Sequence, residues 1–235
     1  MNKKAIVVHS GGMDSSICLA YAVKKFGADA VLSIGFQYGQ RHSGELEKAQ
    51  QICAAWQVDH TVLKIDFLQQ ITENSLLNHN IPMSNKRDML SNALVVGRNG
   101  LMARIAAIHA QHLQASEVYL GVIGVEEANS GYRDCSRSYM DKLQDILRID
   151  LASEEFSLKT PLVHMTKKET MDFANELGVL RFLLENTISC YEGLPNEGCM
   201  VCPACFLRNE GIHEYIQDNP SFEFSFKKKI LHRQS

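Results

Sequence analysis

No apolar run in this 235-residue chain reaches the ~20 residues needed to cross a bilayer. The longest candidate starts at Leu101 and is broken by Arg104. A large excess of either sign of charge is lacking as well. The formal net charge is −3 and no basic stripe runs through the sequence, so there is no electrostatic case for binding nucleic acid. Internal repeats and low-complexity segments are lacking, which excludes solenoids and flexible arrays. Lys3 and Lys4 precede only a short β-like run, so no signal peptide is expected and the cytoplasm is the expected compartment. A chain of this length suits one large domain, or one domain with a small appendage.

What is present begins at once. The apolar run Ala5-Ile6-Val7-Val8 leads through His9 into Ser10-Gly11-Gly12-Met13-Asp14-Ser15, and a helix-like stretch follows to about Lys25. A strand, a glycine turn and a helix N-terminus make an arrangement that cradles phosphate. Gly11 and Gly12 let the backbone approach an anion. Ser10 and Ser15 add hydroxyl donors, and the unpaired N–H groups of the first helical turn point the same way. A carboxylate beside phosphate repels it, so Asp14 is expected to face a metal ion or to cap the helix; Ser15 is the other candidate cap. No Gly-Lys-Ser/Thr follows the glycines, which excludes a Walker A loop, and the third glycine of a dinucleotide fingerprint is missing.

Ser10-Gly11-Gly12-Met13-Asp14-Ser15 resembles the pyrophosphate loop of the N-type ATP pyrophosphatases. That resemblance implies cleavage of ATP between its α and β phosphates, an adenylated substrate, and a loop that holds the departing pyrophosphate.

The rest of the chain alternates. Val31 to Phe36 reads as a strand, and Leu46, Ala49, Cys53 and Trp56 recur at helical spacing. Thr61 to Ile65 is a short strand, 66–97 a loop or lid, Leu101 to Leu113 a helix, and Glu117 to Ile123 a strand. Such alternation predicts an α/β fold: a doubly wound, Rossmann-like parallel sheet with helices on both faces and ligands at the carboxyl ends of its strands. Thr166-Lys167-Lys168-Glu169 is a capping box, and Gly178 ends the helix it starts. The pattern changes beyond Arg181, which divides the chain into a nucleotide domain, 1–181, and a C-terminal cysteine-bearing segment, 182–235. The lysine-containing tail from Phe222 is expected to be a solvated terminus.

Cys190, Cys199, Cys202 and Cys205 supply four thiolates within sixteen residues. In a cytosolic chain clustered cysteines read as metal ligands before disulfides. Cys-x2-Cys spacing lets two sulfurs reach one tetrahedral ion, and four sulfurs fill its shell, so the site is expected to hold one structural zinc ion. An iron–sulfur cluster is the competing reading.

Several motifs in order narrow the resemblance: Phe36-Gln37-Tyr38-Gly39-Gln40-Arg41-His42, Gly97-Arg98-Asn99, Ser130-Gly131-Tyr132-Arg133-Asp134-Cys135, Thr160-Pro161-Leu162 and the four-cysteine segment closed by Leu207-Arg208. Across nearly the whole chain the set is similar to the 7-cyano-7-deazaguanine synthase family of queuosine biosynthesis. The resemblance implies that ATP adenylates 7-carboxy-7-deazaguanine, that ammonia gives the amide, and that a second ATP converts the amide to the nitrile. It implies ATP and Mg²⁺ as cofactors and a homodimer as a common state. His9, Ser10, Gly11, Gly12, Met13, Asp14, Ser15, Ser16, Tyr38, Gly39, Gln40 and His42 would then surround the nucleotide. Asp14, Ser15, Arg41 and Arg98 would carry the chemistry, with each arginine a candidate for the α-phosphate or the substrate carboxylate. His42 contacts ribose or phosphate, or is structural; Asn99 touches substrate or caps its own helix. Arg98, Asn99, Glu126, Tyr132 and Asp134 are the substrate candidates, with Glu126 and Asp134 as alternative carboxylates to accept the base's N–H donors. No Cys/His/Glu set for glutamine hydrolysis is evident, so ammonia is expected from solution. The chain departs from the family pattern at Val96, Asn129, Arg133 and Ser136, around the expected substrate loop. Two other readings remain: a related ligase that adenylates another carboxylate or modifies tRNA, and a non-enzymatic cysteine module for interaction.

Overall fold

A computed structural model describes residues 2–39, 44–72, 95–124 and 132–232. Five strands form its sheet: β1 (Ala5–Val8), β2 (Val31–Gln37), β3 (Asp59–Lys64), β4 (Glu117–Leu120) and β5 (Ser157–Lys159). All pairs are parallel and the order is β3-β2-β1-β4-β5. Val8 stands opposite Ile34 on one side and Leu120 on the other. Strand order therefore reverses at β1, and the gap between the carboxyl ends of β1 and β4 is the switch point where such sheets bind ligands.

β1 reads as an unbroken apolar run because both of its faces are covered. Side-chain alternation sends Ala5 and Val7 into one core and Ile6 into the other. The first core gathers α1 (Met13–Phe26), α6 (Lys167–Glu176), α7 (Leu180–Asn186) and α8 (Pro203–Asp218). The second takes the alanine-rich α4 (Arg98–His112) and α5 (Arg137–Leu151). The helix α2 (Gly44–Ala55) lies beside β2, and a short α3 (Leu68–Ile71) follows β3.

The expected α/β architecture is present, with shifted edges. The strand from Glu117 stops at Leu120 rather than Ile123, and at Gly121 the chain passes close against the first turn of α1. The sequence reading did not separate α5 from its surroundings. Its buried stripe is Met140, Leu143 and Leu147, and Ser136 caps it by accepting the Tyr139 N–H at 3.3 Å. The capping box at α6 is present in both directions: Glu169 N–H donates to Thr166 Oγ1 at 3.2 Å, and Thr166 N–H donates to Glu169 Oε2 at 2.7 Å. Within the stretch read as loop or lid, 73–94 lies outside the described residues.

The tail departs from expectation. It is not solvated. Phe224, Phe226 and Ile230 are buried in the first core, the last within α9 (Lys227–Leu231). Tyr215, Phe222, Phe224 and Phe226 stack in sequence, with the Phe224 and Phe226 centroids 4.8 Å apart. The lysines obscured this, since Lys227 buries its stem and donates to Pro220 O and Glu223. Phe226→Ala is expected to cost about 3 kcal/mol in urea unfolding, as a large-to-small change in a packed core; a change within ±0.5 kcal/mol would contradict this packing.

Candidate functional site

A cavity of about 330 Å³ opens at the switch point. The loop after β1 forms its floor. The ladder ends where His9 N–H donates to Ile34 O at 2.9 Å, and the α1 ladder starts where Ser16 N–H donates to Gly12 O at 3.1 Å. The N–H groups of Met13, Asp14 and Ser15 lie between and make no intrahelical bond. Gly11 has φ +85°, and a Cβ there would lie 2.0 Å from the Glu45 carbonyl of α2. A Cβ on Gly121 would lie 2.6 Å from Ser15 N. Only glycine allows both contacts.

Gly12, not Asp14 or Ser15, is the N-cap of α1. Its backbone is extended, and the serine hydroxyls serve the loop instead. Ser15 Oγ donates to Gly12 O at 3.1 Å and lies 3.1 Å from Ser10 Oγ. The Met13 side chain is buried in the core. Both ring nitrogens of His9 are taken by hydroxyls, Ser33 Oγ at 3.0 Å and Ser16 Oγ at 2.9 Å.

Asp14 is released from capping and pairs with Lys167 Nζ at 2.6 Å. Lys167 is the first residue of α6, so its capping box presents a cation to the loop. Its backbone is pressed against α8, where a Cβ on Gly211 would lie 2.5 Å from Lys167 Cβ. The sequence reading used this segment only as a helix start and missed Lys167. The available signal was a lysine inside one of the quoted motifs.

Arg98 stands at the other end of the cavity, at the start of α4. One N–H donates to the Tyr38 hydroxyl at 3.3 Å. The guanidinium carbon lies 5.6 Å from the Tyr38 ring centroid and 5.9 Å from that of Tyr132. A guanidinium has five N–H donors, and the tyrosine takes one. Asn99 is not its own cap: its backbone N–H donates to Asp134 Oδ2 at 2.9 Å, and its side-chain amide meets Cys135 Sγ at 3.4 Å. Asp134 thus caps α4 from another segment. Its Oδ1 is buried with no partner among the described residues.

Glu45 also lines the cavity and was missed, because it reads as an ordinary first-turn acid of α2. Burial pushes its carboxyl up to about 7, while Arg98 pulls the other way. Gln40, Arg41, His42 and Glu126 lie outside the described residues.

The cysteine segment builds one wall. Cys190, Tyr191, Ala204, Leu207 and Arg208 line the cavity. The four sulfurs lie within 4.8 Å of one another. Cys199 Sγ and Cys205 Sγ are 3.9 Å apart, near the ~3.8 Å edge of a tetrahedron with ~2.3 Å metal–sulfur bonds. Backbone N–H groups of Cys199, Cys202 and Cys205 donate to the sulfurs of Cys190, Cys199 and Cys202 at 3.3–3.4 Å. The donor set fits one metal ion.

A family description, Queuosine biosynthesis protein QueC, matches residues 4–216. The chain belongs to this family. QueC membership places it in queuosine biosynthesis. Among solved structures it is similar to an NMN synthetase from Francisella tularensis, at 14% identity and TM-score 0.47, covering 95% of this chain and 79% of that one. It is similar to the U34-tRNA thiolase NcsA from Methanococcus maripaludis with its [4Fe-4S] cluster, at 13% identity and TM-score 0.49, covering 96% and 75%. It is also similar to an NH3-dependent NAD synthetase from Campylobacter jejuni, at 14% identity and TM-score 0.45, covering 78% and 67%. Identities this low establish no shared activity.

Two expectations follow for this QueC-family chain. If the four sulfurs hold a structural ion, Cys202→Ser should lower both the metal content and the melting temperature; a variant that loses metal and melts as the parent does would contradict a structural ion. Glu45 has a folded pKa above its unfolded value, so its contribution to stability is complete below about pH 4.5 and is lost as pH rises through about 7. Glu45→Gln should therefore gain stability relative to the parent between pH 5 and 8 in urea unfolding. A constant difference across that range would contradict the raised pKa.

Proposed function

We propose that the protein is an ATP-dependent C–N ligase that converts 7-carboxy-7-deazaguanine and ammonia to 7-cyano-7-deazaguanine. Each turnover uses two ATP and releases two AMP and two pyrophosphates. The observation that carries this reading is Arg98, a cavity arginine with a single tyrosine hydroxyl as hydrogen-bond partner among the described residues, facing the same cavity as the glycine loop. Its spare donors suit a carboxylate bidentately. The Tyr38 and Tyr132 rings beside it suit a flat heterocycle.

In this reading Ser10, Gly11, Gly12 and Ser15 hold the pyrophosphate end of ATP. Asp14 would hold Mg²⁺, which neutralises phosphate charge, while Lys167 moves from the Asp14 carboxylate to a phosphate oxygen. Negative charge grows on the α-phosphate as the carboxylate attacks, so cations placed there lower the barrier. Adenylation makes a poor oxygen leaving group a good one. Ammonia from solution then displaces AMP to give the amide. The amide oxygen takes a second adenylyl group, and its departure leaves the nitrile. Arg98 orients the acid, and Tyr132 and Asn99 line the path of the base. Asp134 Oδ1 or Glu126 accepts the N–H donors of its edge. Arg41 joins the α-phosphate; Tyr38, Gly39, Gln40 and His42 close around the nucleotide.

Cys190, Cys199, Cys202 and Cys205 would hold one zinc ion, which supplies structure rather than a reaction step. Sulfurs this close together suit one ion, whereas a cubane iron–sulfur cluster spreads its ligands further apart. The protein acts in the cytoplasm, as a homodimer, on a free small molecule.

Incubation with ATP, ammonium and 7-carboxy-7-deazaguanine, followed by mass analysis, should show amide and then nitrile. An unchanged acid would contradict the assignment; an amide that never advances would indicate a related ligase. Asp14→Asn should lower pyrophosphate release at least a hundredfold in a protein that still folds, and retained turnover would contradict its role. Arg98→Ala should raise KM for the acid far more than KM for ATP; the opposite split would place Arg98 at the nucleotide.

A further inference from the structure

His9 sits one residue before the loop and is fully buried, with both ring nitrogens taken by serine hydroxyls. Its hydrogen bonds have a direction that the neighbours dictate. Ser16 Oγ donates to the Gly12 carbonyl at 2.8 Å, because a carbonyl can only accept. With its one proton used, Ser16 Oγ must accept from His9 Nε2 at 2.9 Å. Burial, with His60 nearby, pushes the His9 pKa down to about 3, so the ring is neutral and its Nδ1 carries no proton. Nδ1 must then accept from Ser33 Oγ at 3.0 Å. The Ser33 proton is now committed as well, so its oxygen accepts from His60 Nδ1 at 2.9 Å. His60 Nε2 is left bare, and it is one of two buried side-chain atoms without a partner among the described residues.

We propose that His9 is a positioning residue for the phosphate loop: through Ser16 it fixes the Gly12 carbonyl, and it anchors that carbonyl to the sheet through Ser33 and His60. The chain runs from β3 through β2 and β1 to the first turn of α1, and every bond in it points toward the loop. Gly12 O is where it ends, and that atom also receives Ser16 N–H and Ser15 Oγ. Three donors on one carbonyl turn the Gly12–Met13 peptide so that its N–H is directed away from them. Pointing the N–H groups of Met13, Asp14 and Ser15 into the cavity requires that orientation. The relay touches no substrate and acts only on how well the loop is set before an anion arrives.

The nearby Cys53 thiol, 3.6 Å from His9 Nδ1, is a weak second donor to the same lone pair. His9, Cys53 and His60 also form a set that could take a metal ion. The hydrogen-bond directions above account for these groups as an ordered polar chain.

The inference rests on the loop binding pyrophosphate, and the wild-type protein tests that part separately. Calorimetry with inorganic pyrophosphate and Mg²⁺ is compared for wild type, His9→Phe, Ser16→Ala and the double variant, with melting temperatures recorded for each. Wild-type binding upholds the loop assignment, and its absence overturns the inference together with it. Given that binding, each single variant is expected to weaken pyrophosphate affinity on the order of tenfold. The double variant should lose no more than either single one, because both break the same linkage. KM for ATP should rise with kcat for bound substrate largely kept. His9→Gln retains a distal N–H donor and should recover most of the affinity, which a loss of packing alone would not allow. A folded His9→Phe protein that binds pyrophosphate like wild type would overturn the proposal, as would additive penalties in the double variant. So would a glutamine variant as weak as the phenylalanine one. Two equivalents of metal per chain, falling to one in Cys53→Ala, would overturn it too by tying the His9 ring to an ion.

Discussion

Backbone packed against backbone is the constraint on which this site depends. At Gly11 the loop lies against the Glu45 carbonyl and the Ala49 amide of α2; at Gly121 the end of β4 lies against Asp14 and Ser15. These contacts wedge the start of α1 into the gap where the strand order reverses. No side chain fits at either glycine, so the loop cannot sink or tilt without displacing a helix or a strand. The free N–H groups of the first turn are thereby held at the mouth of the cavity. A helix N-terminus attracts anions wherever it is exposed. Here two backbone contacts and a hydroxyl relay fix where that attraction is aimed.

The cysteine segment belongs to this same unit. Cys190 precedes Tyr191, which stands in the cavity wall with Tyr132 and Arg98 around it. Arg208, buried beside the thiol cluster, donates to Asn196 O and to Asn209 Oδ1, tying α8 to the turn before Cys199. From α8, Gly211 sets the backbone of Lys167 and so the cation opposite Asp14. A metal ion at the cysteines would therefore brace both ends of the cavity at once. The aromatic C-terminus fills the space behind α8 and completes that brace.

Much of this was legible where local chemistry leaves little choice. The strand, glycine turn and helix announced the loop; the spacing of four clustered cysteines announced that their sulfurs would converge; and the capping box marked the start of α6 to the residue. What stayed hidden depended on contacts distant in sequence. Lys167 looks like any first-turn lysine until Asp14, 153 positions away, is folded against it. Glu45 becomes a cavity residue only because Gly11 draws α2 so close. Asn99 read equally as a cap for its own helix or as a substrate contact, and a carboxylate from beyond β4 does the capping. The short β5 has three residues and little pattern to detect. The tail was misread because its lysines suggested solvent, whereas the alternating Phe222, Phe224 and Phe226 carry the packing.

In the proposed reaction both oxygens of the bound acid leave on AMP. The most direct measurement uses 7-carboxy-7-deazaguanine labelled with ¹⁸O at both carboxylate oxygens, with ATP, Mg²⁺ and ammonium, and reads the mass of the AMP formed. One ¹⁸O in the first AMP and one in the second, for each nitrile made, is the predicted result. Unlabelled AMP, with the label released to water, would contradict activation of the substrate by adenylation at this site.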